Sequence, residues 1–155
     1  MLVSITNTFA ESSQTEHTPV PSTTTNNAYT PGLGEIMGAI QLRHAKLWFA
    51  GQAKNWELAA YELDEIKEAF DDVAKYYSDF KGKPIAKMIE PITNQPVASL
   101  QKAIDAKDTA QFIQAFDNLS NACISCHQAT EHGFIVIQRP SLPPLTNQRF
   151  ELTPP

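Results

Sequence analysis

Apolar residues recur through the middle of the chain at helical spacing. Leu33, Met37, Ile40, His44 and Leu47 step by four, three, four and three, the stripe of an amphipathic helix that should stop near Gly51. Asn55 is placed to cap a second helix of about six turns. Glu57 stands at its positive end, and Trp56, Leu63, Ile66, Phe70, Val73, Tyr77 and Phe80 lie along its seams. "KGKP" then breaks the pattern. From Pro84 to Ala106 a third helical segment is expected, interrupted around Pro91 and Pro96, each of which removes a helix hydrogen bond. Its most regular part is Val97 to Ala106. Asp108 can cap a fourth helix with the stripe Phe112, Phe116, Leu119, Cys123 and Cys126, and Gly133 marks its expected stop. Four amphipathic helices on short connections predict an all-α, antiparallel four-helix bundle over residues 33–133.

The flanks have a different character. Residues 1–32 are rich in Ser, Thr, Asn and Pro ("PVPSTTTNNAYTPG") and lack apolar periodicity, which predicts a disordered leader or tether. Residues 134–155 form a Pro-rich C-terminal extension expected to lie extended on the bundle, with Phe134, Ile135, Val136 and Ile137 as its buried part. The charged run "ELDEIKEAFDD" reads as a solvated helix face with i,i+4 pairs, and Trp48, Phe49 and Trp56 read as core around the first turn.

A chain of 155 residues with 42% hydrophobic content suits one domain with a real core. The formal net charge of −5, with no run of Lys or Arg, argues against a nucleic-acid partner. No apolar stretch approaches the roughly 20 residues of a membrane-spanning helix. The start "MLVSITNTFAESS" has no basic n-region, so a signal peptide is absent or truncated, with "TFA" before Glu11 fitting the end of one.

Candidate chemistry is concentrated in "SNACISCHQATEH", Ser120 to His132, which holds both cysteines and two of the four histidines. On a helix Cys123 and Cys126 stand at i and i+3, so both sulfurs leave one face and can reach two vinyl-derived positions on one porphyrin edge. His127 follows at once and can place its imidazole under the iron. C-x-x-C-H therefore reads as a site of c-type haem attachment. Zinc would need further ligands, and there is no second C-x-x-C or paired H-x-x-x-H. A redox dithiol belongs at a helix N-terminus, whereas this pair lies near a helix C-terminal end.

With "CISCH" on the last of four helices, the chain resembles the class II c-type cytochromes, the cytochrome c-prime group and its low-spin relatives. The resemblance runs from Leu33 to His132 and is specific at "CISCH" and in helix order. It implies one covalent haem c on Cys123 and Cys126, with His127 as the proximal iron ligand. It places Met37, early in the first helix, where low-spin members have their sixth ligand, and His44 is the alternate. The two lie about 10 Å apart along the helix, so both cannot be centred over one iron.

Two positions depart from the family pattern: Thr130 and Glu131 stand where an aromatic and a basic residue are common, and the chain runs on to Pro155. By resemblance the protein is a periplasmic monohaem cytochrome that transfers single electrons to a redox partner protein and is not an enzyme; its oligomeric state is open, with a homodimer through the first two helices, common among such proteins, as one option. The alternative is a five-coordinate, cytochrome c-prime-like protein that binds or senses NO or CO. A peroxidase would need a polar distal pair, and Arg43 and His44 diverge by about 100° on a helix.

Overall fold

The computed structural model describes residues 29 to 152 except Thr146, with Thr93 described by its backbone alone. The expected leader therefore lies outside the described residues up to position 28. Among the described residues the fold is all-helical, without a strand: α1 (Leu33–Gln52), α2 (Trp56–Tyr76), α3 (Ile85–Ile92), a π-helical turn (Thr93–Val97), α4 (Ala98–Asp105) and α5 (Thr109–Ala129). None of these helices is long and apolar enough to cross a membrane.

The third helical segment is continuous, despite Pro91 in α3 and Pro96 in the π turn. Pro96 has no N–H to give, and the wider π turn absorbs the lost bond, so a bulge replaces the expected break. Between the helices the same joint is used twice. In Ala53-Lys54-Asn55 and Ala106-Lys107-Asp108 the lysine takes a left-handed backbone, with φ 56° and 54°. The next residue's N–H reaches back to Ala50 (2.9 Å) or Ala103 (3.0 Å), while its side chain caps the following helix through Leu58 N (3.2 Å) or Gln111 N (3.0 Å). Each corner thus needs only three residues. α1 packs chiefly on α2, and α4 on α5.

α1 ends one residue past Gly51, close to the expected stop, and the glycine also has a packing role. A Cβ there would sit 2.2 Å from Cε1 and Cζ of Phe112, so the missing side chain lets the Phe112 ring lie against the α1 backbone. Phe112 and Phe116 are fully buried with Leu47, Leu63, Ile66, Leu100, Leu119 and Val73. Trp48 and Trp56 close on Phe112 at ring-centroid distances of 6.5 and 6.0 Å.

Four sequence expectations are corrected. Glu62, read as part of a solvated face, is wholly buried: it points at α1, where Arg43 Nη1 (3.1 Å) and Lys46 Nζ (2.6 Å) neutralise it. α2 ends at Tyr76, before Phe80. α5 ends at Ala129 rather than at Gly133, because Glu131 takes φ 65° and His132 N bonds back to His127 O at 2.7 Å. Beyond that point Phe134 and Val136 are 80% and 66% exposed, not buried. Ile135 and Ile137 line the cavity, but Ile135 is still 38% exposed and Ile137 only partly covered, so none of the four is fully buried. The buried apolar residue of the extension is Phe150. Its ring lies 5.6 Å from that of Phe49, and its carbonyl accepts from Asn55 Nδ2 at 3.1 Å.

Candidate functional site

One cavity of about 320 Å³ brings together all five residues singled out from the sequence: Met37, His44, Cys123, Cys126 and His127. That volume lies in the range of small-molecule sites, roughly 300–1,000 Å³. α1 contributes Gly34, Met37, Gly38, Gln41 and His44, one helical stripe at i, i+3, i+4, i+7 and i+10. Ile66 and Phe70 of α2 and Ile85, Ile89 and Ile92 of α3 make an apolar wall. The opposite rim is the end of α5 and the chain after it, through His132, Ile135 and Ile137.

Gly34 and Gly38 matter because nothing lies within 4 Å of where their Cβ atoms would be. Beside Met37 the wall of α1 is therefore bare backbone with open space in front of it. The sequence gives a signal for this, two glycines four apart on the Met37 stripe, that helix patterning alone does not interpret. His132, the last residue of the cysteine-histidine stretch, is half-buried and lines the cavity.

The thiols are free and partly buried. Burial, with a lesser effect of the neighbouring Cys126, pushes the Cys123 thiol up to about 11, and burial raises that of Cys126 as well. Both sulfurs are therefore protonated near neutral pH. That is the reverse of a redox-active dithiol, which depends on a stabilised thiolate.

The two histidines are held in opposite tautomers. His127 Nδ1 lies 3.1 Å from the Ile135 carbonyl, which can only accept, so Nδ1 carries the proton and Nε2 keeps its lone pair. Metal-ligating imidazoles are commonly fixed in this way. His44 Nε2 lies 2.9 Å from Ser120 Oγ, whose own proton goes to the Phe116 carbonyl at 3.0 Å. The serine oxygen must then accept, so His44 Nε2 is the donor. The His44 ring also packs 4.2 Å from that of Phe116, and burial lowers its pKa to about 4. It is a neutral core residue already engaged at one nitrogen.

Among the described residues no group of three or more His, Cys, Asp or Glu side chains converges as a cage for a bare metal ion. No protein-family model, curated protein or solved structure matches the chain. Fold and site together define an all-helical protein with an apolar cavity that is edged by two protonated thiols and an oriented imidazole.

Proposed function

We propose that this is a monohaem c-type cytochrome of the class II kind, an antiparallel four-helix bundle that transfers single electrons and has no substrate chemistry of its own. The observation that carries this reading is the convergence of Cys123, Cys126 and His127 with Met37 on one apolar cavity. The residues fit the group. Each protonated thiol can add its S–H across one vinyl group of a porphyrin, forming a thioether with no net redox change. His127 Nε2 would be the protein's ligand to the iron. The porphyrin brings its own four equatorial nitrogens, so a haem does not need the side-chain cage that a bare ion needs.

A bound haem supplies a ferric/ferrous couple, and the chain sets its potential through ligand identity, burial and hydrogen bonding. Met37 is favoured over His44 as sixth ligand because the His44 ring is buried in the core, packed 4.2 Å from that of Phe116 and bonded to Ser120. The bare wall at Gly34 and Gly38 supports a second reading, in which Met37 stays off the iron and the open side takes NO or CO. Thioether formation of this kind and the resemblance both point to an exported, periplasmic protein with a separate redox partner.

The test is expression of the full chain in a host competent for c-type maturation, followed by ferric and dithionite-reduced absorption spectra and haem staining after denaturing electrophoresis. Haem that stays with the denatured chain, with sharp reduced α and β bands, is expected. Broad high-spin bands that shift with CO would select the second reading. No retained haem would overturn both. His127→Ala should keep the covalent haem but lose the axial ligand, and an unchanged Soret band in that variant would overturn the proximal assignment.

A further inference from the structure

We propose that the chain after α5, over Phe134 to Arg139 and with a second fastening at Phe150, is a positioning strap that holds the Ile135 carbonyl on His127 and so fixes which ring nitrogen keeps its lone pair and how strongly it donates. The consequence for an iron rests on the haem reading, but the geometry does not.

His127 is only half-buried, so packing alone does not lock its ring. Its orienting contact is the 3.1 Å bond from Nδ1 to the Ile135 carbonyl. Of the side chains next to Ile135, Val136 points to solvent, and Phe134, though 80% exposed, rests its ring 5.8 Å from that of His132. A local turn brings Ile135 near the helix end, through Ile135 N to His132 O (2.8 Å) and His132 N to His127 O (2.7 Å), and leaves the chain beyond it to be fastened elsewhere.

The anchors lie further along. Arg139 makes a two-pronged contact with Asp117 on α5, Nε to Oδ1 at 2.7 Å and Nη2 to Oδ2, and its guanidinium lies 5.0 Å from the ring centroid of Trp48 on α1. A forked Arg-carboxylate contact specifies direction as well as distance. Phe150 closes the far end on Phe49 of α1 and Asn55 of the first corner. The strap is thus fastened to α5 and α1, the two helices that carry His127 and Met37. A carbonyl held on Nδ1–H keeps the lone pair on Nε2 and makes it a better donor, the usual effect of an outer partner on a ligating histidine. Arg139 is then a positioning residue acting through Ile135.

The experiment compares the full chain with Arg139→Ala, Arg139→Lys and Asp117→Asn, made both without and with haem maturation. Imidazole 15N NMR of the haem-free chain reads the His127 tautomer, and redox titration of the loaded chain reads the midpoint potential. Wild type should show the Nδ1–H form. Arg139→Ala and Asp117→Asn should both shift it toward Nε2–H and raise the potential, and Arg139→Lys should restore both in part. A wild-type tautomer in Arg139→Ala overturns the strap. So does a potential that moves while the tautomer does not, since that assigns the effect to the Arg139 charge. If the tautomer shifts as expected but wild type retains no covalent haem, the strap stands and the haem reading fails.

Discussion

His44 and Ser120 meet at 2.9 Å across α1 and α5, and the serine's own bond to the Phe116 carbonyl forces the histidine to be the donor. This pairing decides how a histidine on the cavity wall behaves. It is held neutral, buried, and already used at one nitrogen.

A pH dependence follows. With its pKa lowered from 6.5 to about 4 by burial, His44 takes up its proton more readily in the unfolded chain than in the folded one. Its neutral form favours the fold above pH 6.5, and that advantage is lost as pH falls from 6.5 to about 4. The loss comes to about 3 kcal/mol at roughly 1.4 kcal/mol per pH unit. Urea unfolding of wild type and His44→Gln at pH 7, 5 and 4 checks this, because the variant should lack that part of the acid loss. Equal slopes would show that His44 does not titrate as described.

Met37 should act on the spectrum more than on stability. Met37→Ala removes a partly buried side chain, so it should cost roughly 1–2 kcal/mol, less than the 2–5 of a fully buried methionine. Under the sixth-ligand reading it converts sharp low-spin bands to high-spin ones, while His44→Gln leaves them unchanged. The opposite pattern would transfer the ligand role to His44.

Filling the bare wall of α1 should separate folding from cofactor capture. Gly38→Leu gains helix propensity, up to about 1 kcal/mol, and places its side chain in open space. Thermal stability of the haem-free chain should hold or rise, and under the proposed haem reading covalent haem per chain should fall steeply. Undiminished haem in that variant would mean that the Gly38 side of the cavity is not where the group sits.

The Gly51 contact is the tightest test of the core. Gly51→Ala forces a methyl into the Phe112 ring and should cost at least about 2 kcal/mol, partly relieved by adding Phe112→Leu. Denaturant melts of the single and double variants measure the coupling.

Much of the helical layout is legible in the sequence, because repeats such as Leu33 to Leu47 and Phe112 to Cys126 and caps such as Asn55 and Asp108 are local signals. Pattern reading falters where a residue's role depends on what stands opposite. Gly51 does mark the end of α1, but its contact with Phe112 shows only once α5 is laid against it. Glu62 resembles a surface charge until Arg43 and Lys46 face it. The extension misleads for the same reason: Phe134 to Ile137 look like a uniform apolar run, and only the fold puts Ile135 and Ile137 on the cavity and leaves Phe134 and Val136 in solvent. In the candidate site the cysteine pair and His127 announce themselves by spacing. His132, Gly34 and Gly38 enter only because the fold brings their elements to one cavity.

The twice-used Ala-Lys-Asn and Ala-Lys-Asp corners divide the molecule mechanically. Each joins its helices through three residues, whereas α2 and α3 are separated by the longer stretch from Tyr77 to Pro84. The cavity lies across that division, with Met37 on one pair of helices and the cysteines on the other. Whatever fills it therefore works as a rivet between two halves, so loading the site should slow hydrogen exchange in α1 and α5 together, well beyond the atoms it touches.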